Sequence, residues 1–464
     1  MSLVISISGI RGTIGGAPGQ GLTPIDAVQF TSAYASWLRS ATRNPRPTIV
    51  LGRDARISGP MVEQLVTATL AAMGCNVLQL GLATTPTVEM AVTEVKADGG
   101  IILTASHNPA EWNALKLLNG KGEFLSAADG EAILQKARSG DYTYAEIKNL
   151  GEIKPLDGMD VKHIDRVAAM DLVQLERIKE KKFRVVIDSV NSVGGLILPK
   201  LLHALGVEDI VELNGEPNGE FPHNPEPLPE NLTEISETMV KEQADVGFVV
   251  DPDVDRLAVV CEDGSMFGEE YTLVAVADYV LSKTPGNTAS NLSSTRALRD
   301  VTEGYGRSYF PSAVGEVNVV QAMKDHQCVI GGEGNGGVIY PEIHYGRDAL
   351  VGIALFLSHL AESGGSCSEL RDRYPAYTIS KNKITLPEEL DKDALLERFQ
   401  EAYRDFDLNT TDGVKVDMPQ GWIHLRKSNT EPIIRLYAEA ATPGEAERLA
   451  NEAKEKVDQL IKDL

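Results

Sequence analysis

The sequence predicts an α/β protein of four domains: three related α/β domains with mixed or parallel sheets, then a smaller α+β domain, set around a central cleft. Three observations predict it. Apolar strand-like runs alternate with helix-period segments almost throughout, the pattern of mainly parallel sheets covered by helices. At 464 residues the chain is longer than one hydrophobic core supports. Chemistry-bearing loops, centred on Ser106, Asp251, Glu333 and Arg426, recur about once per inferred unit. The units are expected at 1–152, 153–256, 257–373 and 374–464.

Taken in order, Met1–Ser8 reads as a short strand, followed by the Gly/Arg turn Ser8-Gly-Ile-Arg11-Gly12. Thr23 is a potential N-cap with Pro24 in the first turn, and helical spacing runs on through Trp37. Thr48–Leu51 is a strand, Gly59–Met73 a helix, and Cys75–Leu80 and Gly100–Leu103 are strands, with a crossing segment at Gly151–Pro155. The second unit has a helix over Lys162–Lys181, the strand Phe183–Ile187 and the closing strand Val246–Val250. Within it, Phe221–Glu230 holds four prolines in ten residues and is an ordered loop or extended strap. The third unit starts at Leu257–Val260 and contains the strand Cys328–Ile330. The fourth ends on an amphipathic helix that opens at the capping box Thr442-Pro-Gly-Glu445 and runs to Leu464.

A net charge of −23, from 44 basic and 67 acidic residues, argues against nucleic acid or an anionic membrane as partner. No apolar run reaches the ~18–20 residues that span a bilayer, and the N-terminus has no basic, cleavable leader, so a cytoplasmic protein is expected. Cys75, Cys261, Cys328 and Cys367 form no CxxC pair and read as small buried hydrophobes in a reducing compartment.

Four constellations carry chemistry. Thr104-Ala-Ser-His-Asn-Pro109 sets a hydroxyl and an imidazole where a buried strand meets a loop. Asp251-Pro-Asp-Val-Asp-Arg256 places three carboxylates after another such strand. They need a counter-cation, and hard oxygen ligands suit Mg²⁺ or Mn²⁺. An EF-hand is excluded, because Arg256 stands where that loop needs glycine and strand follows at once. An aspartyl-nucleophile phosphatase stays open as an alternative. Gly331-Gly-Glu-Gly-Asn-Gly-Gly337 allows close backbone approach, and its Glu333 and Asn335 suit sugar hydroxyls better than a pyrophosphate. Arg426-Lys-Ser-Asn-Thr-Glu-Pro432 with Arg435 concentrates cations and donors as a phosphate cradle. Gly52-Arg-Asp-Ala-Arg56 is a further Gly/Arg turn, suited to orienting an anion or a neighbouring loop.

On these motifs, in this order and spacing, essentially the whole chain resembles the α-D-phosphohexomutases, the family of phosphoglucomutase, phosphomannomutase and phosphoglucosamine mutase. The resemblance implies a C-terminal domain related to the TATA-box-binding-protein fold. It implies an isomerase that moves phosphate between O6 and O1 of a hexose through phosphoserine and a hexose 1,6-bisphosphate. Ser106 would carry the phosphate, with Mg²⁺ held against it by Asp251, Asp253 and Asp255, and Lys116, His107 and Arg11 would neighbour it. Arg256 would lie near the metal loop, and Glu333 with Asn335 would contact sugar hydroxyls. Arg426, Ser428, Asn429, Thr430 and Arg435 would grip the non-reacting phosphate. His107, Lys116 and Glu316 are the candidates for moving the hydroxyl proton. Pro252 and Val254 in the metal loop, Asn335 and Gly337 in the sugar loop, and Glu316 in place of a histidine resemble the archaeal-type phosphoglucosamine mutases. Glucosamine 6-phosphate is therefore the expected substrate, with glucose and mannose phosphates as the alternative. A phosphosugar-binding non-enzyme or a phosphatase is the competing class, and a monomer or a homodimer is expected.

Overall fold

The computed structural model describes residues 2–6, 9–387, 390–427 and 433–462. It divides into two compact units: Met1–Thr272 with Asn335–Leu370, and Leu273–Gly334 with Arg371–Leu464.

The first unit contains two mixed sheets. One comprises β1 (Val4–Ser6), β2 (Gly9–Thr13), β3 (Thr48–Arg53), β4 (Asn76–Leu82), β5 (Gly99–Leu103), β6 (Trp112–Leu118) and β7 (Ile153–Pro155). Their order is β1-β2-β6-β5-β3-β4-β7. The centre, β5-β3-β4-β7, is parallel, whereas β6, β2 and β1 turn antiparallel. Every residue of β5 is buried, as a strand covered on both faces requires. The helix Pro24–Thr42 begins at Thr23 with both capping-box bonds made, so Thr23 and Pro24 act as the sequence predicts. Its Phe30, Tyr34 and Leu38 pack with Ile49, Leu51, Ile101 and Leu103 in one core.

The second sheet has the order β11-β10-β8-β9, from β8 (Arg184–Asp188), β9 (Asp209–Leu213), β10 (Val246–Val250) and β11 (Leu257–Cys261). Strands β9, β8 and β10 are parallel, and β11 returns antiparallel to β10 in full register, Val246 opposite Cys261 and Val250 opposite Leu257. The residues between β10 and β11 therefore form a tight reversal at the sheet's end.

Two local expectations change. Arg11 is not in a turn: Gly9–Thr13 is a strand, because the chain after β1 doubles back and pairs with β6. Gly9 permits this at φ +127°, where a Cβ would strike the Leu115 carbonyl. The single helix expected over 162–181 is two, Met159–Ala168 and Leu175–Lys181. Between them Met170 is buried, and the Gln174 amide donates to Ser358 Oγ at 3.1 Å, so tertiary packing overrides the helical period.

In the second unit, the strands Asn287–Asn291, Tyr309–Ser312 and Cys328–Glu333 are parallel. The last extends to Glu333, which stands on a strand end rather than inside a glycine turn. The C-terminal sheet is antiparallel, in the order Thr378–Thr385, Ile433–Ala440, Gly421–Lys427, Val414–Met418, Asp407–Asn409. The helices Lys392–Ala402 and Pro443–Lys462 supply Phe399, Leu449 and Val457 to its core. Thr442 and Glu445 make the expected cap, with the Glu445 amide 3.3 Å from Thr442 Oγ1. The four cysteines are free and buried. Among the described residues no helix is long and apolar enough to cross a membrane.

This sheet buries a lysine. Lys415 Nζ donates to the Leu292 carbonyl at 2.8 Å and lies 4.1 Å from the Trp422 ring centroid. Burial pushes its pKa down to about 8, below the ~10.4 of an exposed lysine. Between those values the unfolded chain binds more protons than the folded one, so this group makes stability rise with pH. Chemical denaturation of wild type and Lys415→Met should show their stability difference shifting toward wild type between pH of about 8 and about 10.4, by at most about 3 kcal/mol. A difference that stays flat across that window contradicts the assignment.

A serine and three aspartates in a candidate active site

Ser106 stands at the C-terminal end of β5, with its backbone in the left-handed region at φ +50°. A non-glycine residue held there costs conformational energy and persists only where its surroundings over-determine it. Those surroundings are a chain of short bonds. The Ser106 amide donates to Thr104 Oγ1 at 2.9 Å, and Thr104 Oγ1 donates to Asp54 Oδ2 at 2.6 Å. Asp54 also accepts from the Arg56 amide and from Arg56 Nε, each at 3.0 Å.

Arg56, fully buried, clasps the loop from both ends. Its Nη2 donates to the carbonyls of Ser106 (2.5 Å) and Asn108 (2.6 Å), and its Nη1 to those of Pro109 (2.6 Å) and Trp112 (2.9 Å). With Nε on Asp54, all five guanidinium donors are engaged. Of the two roles open to the Gly52–Arg56 turn, the structure supports orienting a neighbouring loop. The proline-rich strap contributes Phe221, whose ring centroid is 5.1 Å from the guanidinium carbon.

The reversal between β10 and β11 carries the aspartates, all three fully buried. Val254 turns the chain at φ +62°, and the Asp255 and Arg256 amides both donate to Asp251 Oδ1 at 3.2 Å. Neighbouring segments fasten the loop. The Thr85 amide reaches the Asp253 carbonyl at 2.9 Å, Thr85 Oγ1 reaches Asp253 Oδ2 at 2.5 Å, and the Ala349 amide reaches the Val254 carbonyl at 3.3 Å.

Serine and aspartates meet directly. Ser106 Oγ donates to Asp251 Oδ2 at 2.7 Å, and Lys116 Nζ lies 2.6 Å from Asp253 Oδ2 and 3.4 Å from Asp255 Oδ2. Arg347 Nη2 donates to Asp255 Oδ2 at 2.7 Å, and Arg256 Nε is 4.0 Å from both Asp251 and Asp255. Lys116 is on β6 opposite Ile102. Arg11 on β2 is opposite Ala114, two residues away, so Arg11 and Lys116 share one face of the sheet.

The electrostatics of the three carboxylates favour positive charge. Carboxylate oxygens of the three aspartates lie within 4.8 Å of one another. Burial and its two neighbours, Asp255 and Asp253, push the Asp251 carboxyl well above its usual range. Against burial, Arg347, Lys116 and Arg256 hold Asp255 below that range, and Asp253 and Asp255 hold the Lys116 ammonium above its own. Two buried oxygens, Asp253 Oδ1 and Asp255 Oδ1, accept no hydrogen bond. Orphaned hard acceptors beside a serine oxygen fit a divalent cation of the Mg²⁺ kind. His107, half-buried, has Nδ1 3.3 Å from Ser106 Oγ. Desolvation and the Arg256, Arg347 and Arg11 guanidiniums lower its pKa well below the usual value, so the ring is neutral at pH 7.

Asn335, also in the first unit, accepts from the Gly337 amide at 3.3 Å. The remaining expected residues belong to the second unit. Glu333 accepts from Asn291 Nδ2 at 2.9 Å, and Glu316 opens the helix Glu316–Asp325, largely buried. Arg426 and Arg435 stand directly opposite on adjacent strands. Like charges facing each other are unfavourable by themselves, so this pairing suits an anion shared between them. Arg426 also lies 3.4 Å from Asp412, and Arg435 is 3.5 Å from the Tyr437 hydroxyl. Ser428, Asn429 and Thr430 lie outside the described residues.

Sequence reasoning passed over Asp54, Thr104 and Arg347. A signal existed for two of them: the triplet Gly-Arg-Asp occurs at 52–54 and again at 346–348, each time supporting a reacting loop.

Comparison with known proteins agrees along the chain. Family models for phosphoglucomutase/phosphomannomutase match in four successive pieces: alpha/beta/alpha domain I at residues 4–143, domain II at 161–264, domain III at 268–377, and the C-terminal domain at 383–456. A phosphoglucomutase/phosphomannomutase of Thermococcus kodakarensis is 36% identical, over 94% of this chain and 95% of its own. A phosphoglucosamine/phosphogalactosamine mutase of Sulfurisphaera tokodaii is 31% identical, over 99% of this chain and all of its own. The crystal structure of a phosphoglucomutase/phosphomannomutase family protein from Burkholderia thailandensis superposes with a TM-score of 0.85 at 25% identity, covering 99% of this chain and 98% of that one.

Proposed function

We propose, for a chain that belongs to the phosphoglucomutase/phosphomannomutase family and is a phosphohexomutase, that phosphorylated Ser106 is the phosphoryl carrier and glucosamine 6-phosphate the preferred substrate. The observation that carries this reading is Ser106 Oγ 2.7 Å from Asp251, with Lys116 spanning Asp253 and Asp255. Phosphoryl transfer is mainly positioning and charge neutralisation, and these residues supply both. Mg²⁺ held by Asp251, Asp253, Asp255 and the Ser106 phosphate would neutralise charge on the moving group.

In the forward direction the bond between Ser106 Oγ and phosphorus breaks as the sugar's free hydroxyl oxygen takes the phosphoryl group, giving a hexose 1,6-bisphosphate. The other phosphate then returns to Ser106. Lys116, held as an ammonium, stabilises charge and cannot serve as base. Neutral His107 beside Oγ is the fitting acceptor for the hydroxyl proton. Arg426 and Arg435, with Ser428, Asn429 and Thr430, would grip the phosphate that is not reacting, and Arg256, Glu316, Glu333 and Asn335 would contact the sugar. The cytoplasm, where sugar monophosphates occur, fits the reading.

The amino sugar is favoured because its C2 ammonium complements carboxylates such as Glu316 and Glu333, and because one relative is named for glucosamine and galactosamine phosphates. The T. kodakarensis relative supports glucose or mannose phosphate as the second reading. Coupled assays with the three 6-phosphates at one bisphosphate concentration should give the highest kcat/KM for glucosamine 6-phosphate, by at least about tenfold. A preference for glucose or mannose 6-phosphate selects the second reading. Sustained release of inorganic phosphate without isomer would make the protein a phosphatase.

A further inference from the structure

Outside the reacting centre, the first unit contains a buried group of two imidazoles and a carboxylate. His163 is on the helix Met159–Ala168, His344 is in the loop after the strand Gly337–Ile339, and Asp348 caps the helix Ala349–Ser363. His163 Nε2 is 2.8 Å and His344 Nε2 is 3.1 Å from one and the same atom, Asp348 Oδ2. Donor atoms from the three residues lie within 4.8 Å of one another. Of the outer nitrogens, His163 Nδ1 is hydrogen-bonded to Thr87 Oγ1 at 2.9 Å, and His344 Nδ1 faces Glu89 Oε2 at 3.2 Å. The side chains of His163, Asp348 and His344 are 0%, 1% and 9% exposed. Gly346 leaves the room, since a Cβ there would collide with Glu89 Oε2 and crowd His344 Nδ1.

The tautomers make this arrangement demand a cation. Both His344 nitrogens face carboxylates, Nδ1 toward Glu89 and Nε2 toward Asp348, but a neutral ring carries one proton, here taken on Nδ1. A neutral ring then aims the Nε2 lone pair at an oxygen lone pair of Asp348, a repulsive contact unless something positive sits between. A second proton is one solution: against the downward push of burial, Asp348 and Glu89 raise the His344 pKa to about 10. A metal ion is the other, and it also accounts for His163 converging on the same oxygen. Ligand distances of about 2.0–2.2 Å give N···O separations of 2.8 and 3.1 Å at ligand–metal–ligand angles of roughly 80–100°. We propose that His163, His344 and Asp348 form a second metal site, which takes a divalent transition ion of the Zn²⁺ class through two imidazole nitrogens and one carboxylate oxygen.

Thr87 and Glu89 are then the outer acceptors that orient metal-bound histidines. The donor sets keep the two sites apart, since imidazole selects Zn²⁺, Co²⁺ or Ni²⁺ while the all-oxygen aspartate loop suits Mg²⁺. An ion here braces segments that hold that loop: Thr85, two residues before Thr87, bonds Asp253, and Ala349, next to Asp348, bonds Val254.

The test uses full-length protein stripped of metal, then titrated with Co²⁺ or Zn²⁺ under excess Mg²⁺. Elemental analysis after desalting counts retained ions, visible absorption of the Co²⁺ form reports nitrogen ligation, and thermal unfolding reports linkage. One ion per chain is expected in wild type and in Asp253→Asn, with a Tm rise of several degrees. That ion is expected to be lost from His163→Gln and His344→Gln. Thr87→Val, which removes only an outer acceptor, should weaken retention about tenfold and keeps the test open if a histidine variant does not fold. Retention that disappears in Asp253→Asn but survives in His163→Gln overturns the proposal. So does wild type that retains no ion, in which case protons alone bridge the cluster.

Discussion

Ser106→Ala should lower mutase turnover by about 10³–10⁶-fold, the scale of deleting an essential covalent group, while leaving the fold intact. The side chain lost is small, and its one strong bond is to Asp251 at 2.7 Å. Its removal takes one hydrogen-bond donor from Asp251, a loss of about 1 kcal/mol, so thermal unfolding should move little. Intact-protein mass adds a second readout. Wild type should carry a fraction heavier by one phosphate that disappears on adding sugar monophosphate, and the variant should show none. Turnover within tenfold of wild type would end the phosphoserine reading and return attention to the aspartates.

Arg56→Met should be the most damaging change away from the reacting atoms. The residue touches no substrate in this reading; it positions Ser106 through four carbonyls and Asp54. Removing it strands four loop carbonyls, the Ser106 one buried, and a buried carboxyl that burial already pushes above its usual pKa. Breaking one side of a buried pair costs about 3–5 kcal/mol, and a serine displaced by an ångström costs about 10² in kcat. Arg56→Lys should recover part of the stability but little kcat, because an ammonium cannot reproduce a planar five-donor fork. Urea unfolding and a kcat-against-KM split test this: kcat should fall with KM nearly unchanged. A folded Arg56→Lys enzyme with kcat within threefold of wild type would show that the clasp is dispensable.

Sequence reading was strongest where the physics is local. The apolar run before Ser106, the Thr23–Pro24 helix start and the Thr442 cap are set by neighbours a few residues away, and all stand in the structure. The three aspartates were legible because like charges packed at such spacing need a cation, whatever the fold. What escaped was non-local. Arg11 became a strand residue through pairing with β6, and the helix over 162–181 broke where Gln174 meets Ser358. The Gly52–Arg56 turn read as fit to orient a neighbouring loop, but nothing local told which loop: four of the Arg56 donors close on one about fifty residues away, and Arg347 acts on an aspartate ninety-two positions earlier. Periodicity and spacing carry no information at that range.

That range has a consequence for how the protein is made. The aspartate loop at 251–255 is fastened by Thr85 and Lys116 from earlier in the chain and by Arg347 and Ala349 from much later. During synthesis the three carboxylates emerge well before two of their four restraints exist. Long-range closures form late and slowly, so a nascent chain holds an acidic turn that is not yet a binding site. Only when the segment around residue 350 docks does the loop acquire its final charge balance, which would make capture of the proposed cation a terminal event of folding rather than its nucleus.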